Sequence, residues 1–174
     1  MKSWGSVDGI LIFLFIVCVP SSMAAPLTLV DNGKPNAVIV QPGGRDWDTE
    51  SWTIHLERQS VTALQGHILQ MSGARLPRVS DTRLGEVQVR DGRLVAEKGV
   101  PDGIEKFILV GESPLCQKLG VTSEDLQSGG IRIKSTPNAL VLIGHPEISH
   151  PHNDGGGLRR AVVTFLESLG CRYL

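Results

Sequence analysis

Ile104-Glu105-Lys106-Phe107-Ile108-Leu109-Val110 is the stretch on which the fold turns. Its second half is apolar without a break, and Gly111 stops it. A strand with one wet face alternates apolar and polar residues, whereas a continuous apolar run marks a strand buried on both faces. Residues 139–143 (ALVLI) read the same way. Strands buried on both faces need a covering layer on each side. The predicted fold class is therefore α/β: a layered mixed β-sheet with covering helices.

The covering helices are legible on either side of these strands. In residues 50–71, Ile54, Val61, Leu64, Ile68 and Met71 recur at helical spacing and stack on one face. Asp48 or Thr49 is positioned to cap its start, and Gly73 to end it. Near the C-terminus, Leu158, Ala161, Val162, Phe165, Leu166 and Leu169 form a second stripe, closed by Gly170. Ser113-Pro114 opens a short helix to about Leu119, with proline where a missing N–H costs nothing. Thr122 and Asp125 are spaced as a capping box and predict one more helical turn.

Further strands fill the gaps. Residues 27–30 and 37–40 flank Asp31-Asn32-Gly33-Lys34-Pro35, where Asn-Gly predicts a tight hairpin turn. Residues 76–79 read as a short extended piece, 86–90 (EVQVR) as an exposed strand or ribbon, and 131–133 as a half-buried strand. Cys171 to the end reads as the opening of another strand.

The N-terminus has the three-part layout of a secretory signal peptide. Lys2 supplies the positive start, residues 10–19 (ILIFLFIVCV) the apolar run, and Pro20 the break. Ser22 and Ala24 are the small residues of a cleavage after Ala24. A membrane-spanning helix needs about 20 apolar residues, so this run is short for one. Val17 before Cys18 argues against a lipoprotein site, where a small residue is wanted. Residues 1–24 are thus predicted to be removed from the chain of 174. What remains, residues 25–174, is the size of one domain and is destined for a secreted or periplasmic location.

Composition narrows the function. Lys and Arg number 17 against 18 Asp and Glu, so the basic excess that nucleic-acid binders use to neutralise phosphates is missing. Two cysteines remain after the leader, Cys116 and Cys171. They are either a pair, as an oxidising compartment permits, or two buried free thiols.

Each candidate site has a plain alternative. His145, His150 and His152 lie near Glu147 and Asp154, but their spacing fits no standard zinc pattern. Gly155-Gly156-Gly157 precedes a helix without the Gly-Lys-Ser/Thr ending of a P-loop, and no G-x-G-x-x-G exists. Glycoside hydrolysis wants two carboxyl groups flanking a cleft. Glu124-Asp125 are adjacent, and Asp46, Asp48 and Glu50 precede a helix start, where negative charge favours the helix dipole. No G-x-S-x-G elbow is present, and nothing places Cys116 beside a histidine. No catalytic, cofactor-binding or metal-binding residue is assigned.

Two stretches carry a family resemblance. Val61-Thr62-Ala63-Leu64-Gln65-Gly66-His67-Ile68-Leu69-Gln70-Met71-Ser72-Gly73-Ala74-Arg75-Leu76-Pro77 resembles a helix followed by a Ser-Gly-Ala-x-Leu-Pro turn. Ala161-Val162-Val163-Thr164-Phe165-Leu166-Glu167-Ser168-Leu169-Gly170-Cys171-Arg172-Tyr173-Leu174 resembles the same domain's closing signature. The opening Leu29-Val30-Asp31-Asn32-Gly33-Lys34-Pro35 and the strand end Ile108-Leu109-Val110-Gly111-Glu112 fit in order. The family is the α-glucuronidase N-terminal domain, similar in shape to the hexosaminidase domain 2 that precedes the barrel of β-N-acetylhexosaminidases. Gly157-Leu158-Arg159-Arg160 departs from the small-Leu-Tyr lead-in of that family.

The resemblance implies a non-catalytic domain of a glycoside hydrolase of polysaccharide catabolism. Such a domain packs against a (β/α)₈ barrel that holds the acid and base carboxylates, so no site residue carries over. The chain reads as cut before its barrel, with the barrel, its own or a separate chain, as the implied partner and a glycan as a second. The alternative is a stand-alone carbohydrate-binding or packing module acting with a separate partner.

Overall fold

The computed structural model describes residues 27–43, 52–145 and 156–172. At its centre is a five-stranded sheet in the order β4-β3-β7-β9-β8. The strands are β3 (Ala37–Gln41), β4 (Arg78–Ser80), β7 (Lys106–Val110), β8 (Ile131–Ser135) and β9 (Ala139–Gly144). β4, β3, β7 and β9 run parallel, and β8 pairs antiparallel with β9. This is the mixed sheet that the continuous apolar runs predict. The central strand β7 is the C-terminal part of the quoted stretch.

Alternation along the three inner strands divides the core in two. Ala37, Ile39, Ile108, Val110, Leu140 and Leu142 face the long helices. These are α1 (Trp52–Ser72), which supplies Val61, Leu64 and Ile68, and α3 (Gly156–Ser168), which supplies Ala161, Val162, Phe165 and Leu166. Val38, Val40, Phe107, Leu109, Val141 and Ile143 face the other way. There a ribbon of β5 (Val87–Arg90) and β6 (Arg93–Ala96) and the short helix α2 (Pro114–Lys118) provide Val87, Leu94, Leu115 and Cys116. Each fully buried Leu, Ile or Val contributes about 1.5–3 kcal/mol, so the two-sided sheet is the main source of stability.

The connections follow turn chemistry. Gly73 (φ 71°) ends α1 and Gly170 (φ 92°) ends α3 in the left-handed region, as their positions predict. Asn32 (φ 48°) and Gly33 (φ 73°) make the expected tight turn, which joins β1 (Val30–Asp31) to β2 (Lys34–Pro35). The strand after it departs from expectation. β3 does not return along that hairpin but enters the middle of the sheet, because its residues are apolar on both faces. Asp91 (φ 50°) and Gly92 (φ 73°) repeat the same chemistry between β5 and β6, which settles residues 86–90 as half of a ribbon.

One predicted helix is absent. Residues 122–126 form turns rather than a helical turn. The Asp125 carboxylate, expected to cap, instead holds Arg132 of β8 through both oxygens at 2.7 and 2.9 Å. Ser123 donates from its N–H and hydroxyl to Glu112. Arg132, outside the segment, thus takes the carboxylate that a local cap would use. Cys171 and Arg172 are not in a strand, and the rest of that predicted strand lies outside the described residues. So do the caps Asp48 and Thr49.

Candidate functional site

The C-terminal ends of parallel strands are where open α/β sheets bind ligands. Here they gather Gly43, Asp81, Gly111, Glu112 and Gly144. Asp81 accepts the Gly43 N–H at 2.7 Å, and Glu112 accepts from Ser123 as above. Both carboxylates are committed to bracing loops. His145 follows β9, and its Nδ1 is buried with no hydrogen-bond partner among the described residues. Glu147, His150, His152, Asp154 and Gly155, with Asp46, Asp48 and Glu50, lie outside the described residues. Of the triple glycine, Gly156 and Gly157 open α3.

The remaining candidates resolve into structural roles. Asp125 is taken by Arg132, which holds its carboxyl below the usual carboxylate range, and Glu124 beside it is exposed. Cys116 is fully buried in α2, its sulfur 3.6 Å from Ser113 Oγ and 3.5 Å from the Gly111 carbonyl. Burial pushes its thiol pKa up, the opposite of what a nucleophilic thiolate needs. Cys171 packs on the α1/α3 side of the sheet, while Cys116 sits in the core on the other side. The sheet stands between them and both are free thiols, which settles the disulfide question.

Among the described residues, an apolar groove at the other end of the domain is formed for binding. It encloses about 540 Å³ between the C-terminal turns of the two long helices. Ile68 and Met71 come from α1, Phe165 and Leu169 from the end of α3 and its cap, and Ile133 and Leu140 from the sheet. Leu27 and Leu29 complete it. That leading segment is held by Asn36, whose N–H donates to the Leu29 carbonyl at 3.0 Å and whose side chain donates to Thr28.

Among the described residues no charged side chain lines the groove. The hydroxyls of Ser72 and Ser168 are spent on the Ile68 and Phe165 carbonyls, each at 2.6 Å. Met71 and Leu169 are 45% and 47% exposed, high for large apolar residues on the inner stripes of their helices. Sequence spacing placed both in the core. The structure instead leaves them half-exposed at the mouth of the groove. Such a concentration of apolar surface marks a contact site.

No protein-family model matches this chain, and no curated protein is detectably similar to it. Among the described residues no helix is long and apolar enough to cross a membrane.

Proposed function

We propose that this chain is the non-catalytic N-terminal α/β domain of an exported glycoside hydrolase of the α-glucuronidase or hexosaminidase type. In this reading its fold is like hexosaminidase domain 2, and its work is to pack against a (β/α)₈ barrel. The supporting observation is that the two stretches carrying the resemblance meet in space. α1 and α3 pack on each other, and Cys171 Sγ lies 3.2 Å from Met71 Sδ across a separation of 100 residues. Leu76 of the Ser-Gly-Ala-x-Leu-Pro turn is fully buried, and the Gln65 amide fixes its carbonyl at 2.6 Å. The apolar groove lies at this junction and supplies the docking face.

Three outcomes test the proposal. Aryl glucuronides and aryl N-acetylglucosaminides should be hydrolysed only at background rates by the chain alone. Turnover abolished in Glu147→Gln or Asp154→Asn would overturn a non-catalytic role. Sedimentation should show self-association that rises with concentration and falls in Met71→Ser and Leu169→Ser, whose polar atoms break up the exposed apolar mouth. A monodisperse monomer at high concentration argues for a stand-alone module. Export is tested by sequencing secreted material, which should begin at Ala25; Met1 retained on soluble cytoplasmic protein would exclude the leader.

A further inference from the structure

The two edges of the sheet treat their arginines differently. At the β8 edge, Arg132 is neutralised by both oxygens of Asp125, and its Nη1 also donates to the Thr122 carbonyl at 2.5 Å. At the β4 edge, Arg78 donates to neutral acceptors, Gln41 Oε1 at 3.2 Å and Thr62 Oγ1 at 3.4 Å. Arg75 is exposed in the turn just before the strand. Neither has a carboxylate partner among the described residues. Asp81, which follows β4, is held by the Gly43 N–H. Partial burial, then the charges of Arg75 and Arg58, push Arg78 below its usual pKa. Among the described residues Arg75 and Arg78 thus place two positive charges along this edge with no carboxylate bonded to either.

Among the described residues the backbone beside it is also unpaired. Among the described residues β4 pairs with β3 alone, and the Ile39 N–H donates to the Pro77 carbonyl at 2.9 Å. In a parallel pair successive residues turn their backbone groups to alternate sides. With Pro77 directed at β3, Arg78 and Ser80 direct theirs outward. A row of outward backbone groups is a template for one more strand.

We propose that the β4 edge is a docking site for an acidic peptide segment, which adds beside Arg78–Ser80 as a further strand and sets carboxylates against Arg75 and Arg78. A protein segment is favoured over an anionic glycan for two reasons. The outward backbone groups of Arg78 and Ser80 recur at the two-residue period of an extended chain, which a peptide strand matches group for group. Among the described side chains the phenyl rings are those of Phe107 and Phe165, both core residues, so neither stacks on a sugar face at this edge. The proposal is independent of the groove and of the glycosidase reading.

The test uses the full chain and a fluorescein-labelled peptide alternating glutamate and valine, followed by anisotropy. Binding should be saturable and should weaken steeply with added salt. Arg75→Gln and Arg78→Gln should each weaken it about threefold to fivefold, the range of an exposed ion pair. Their circular dichroism should be unchanged, because both side chains are exposed. The same peptide N-methylated at alternate amides keeps its charges but cannot pair with a strand, and it should not bind. Equal binding of the N-methylated peptide, or of polygalacturonate, would overturn strand addition, and so would indifference to both substitutions.

Discussion

Gly144→Ala is expected to unfold the domain or weaken it by about 3–5 kcal/mol, among the largest losses a single substitution causes. β9 ends at Gly144 where α3 begins, and a Cβ built on Gly144 falls within the backbone of Gly157 and Leu158. The contact is reciprocal: a Cβ on Gly157 would lie 2.6 Å from the Gly130 carbonyl oxygen and from the His145 nitrogen. Neither glycine has a positive φ, so the cost comes from close approach alone. Backbone cannot rotate aside as a flexible side chain does, so relief requires lifting α3 off the sheet. That would open the core formed by Ala161, Val162, Phe165 and Leu166. Gly66 is the control. It lies within α1 and a Cβ there meets nothing within 4 Å, so Gly66→Ala should stabilise by about 0.5–1 kcal/mol through helix propensity. Urea denaturation of the three proteins measures both effects. A Gly144→Ala variant as stable as the parent would refute the close packing.

This glycine pair also shows how far the sequence could be read. The β7 and β9 runs, the helical stripes and the glycine caps are local patterns, and each found its element. Gly155-Gly156-Gly157 was legible as the lead-in to a helix, but the need for Gly157 depends on Gly144 and Gly130, which no local pattern connects. The 122–126 segment failed for the same kind of reason. Its capping spacing was real, yet Arg132 claimed the Asp125 carboxylate from outside the segment. The hairpin at Asn32-Gly33 was right in its turn and wrong in its partner, since turn chemistry fixes φ and says nothing of where the next strand goes. Asp91-Gly92 carried the same signal and marks the ribbon that residues 86–90 left open. The groove was the least legible feature. Met71 and Leu169 continue the apolar stripes of their helices, and no local pattern tells which end of a stripe stays exposed.

The core on the ribbon side depends on a residue with no apolar surface of its own. Asn138, 3% exposed, accepts the Leu94 N–H at 2.9 Å and donates to the Leu94 carbonyl at 2.8 Å and the Glu105 carbonyl at 3.0 Å. Its side chain thus does for Leu94 what a neighbouring strand would do, and ties β6 to the start of β9. Leu94 is buried over Val38, Phe107 and their neighbours, so these backbone groups have no water to turn to. Asn138→Ala should leave them unsatisfied, and each buried unpaired group costs about 1–3 kcal/mol. Some relief follows if the ribbon lifts and admits water, so a net loss of about 3 kcal/mol is expected, a fall in melting midpoint of about 6–12 °C. Asn138→Asp keeps the acceptor but loses both donated bonds and buries a charge, so it should be no better. The distribution of the damage is the sharper test. Hydrogen exchange should accelerate most in β5 and β6, where the Lys118 ammonium on the Val87 carbonyl at 2.7 Å and the exposed Arg93–Glu105 ion pair at 3.9 Å are polar ties that remain, and least in β3 and β7. Uniform acceleration across all strands would mean that Asn138 stabilises the whole sheet rather than fastening the ribbon to it.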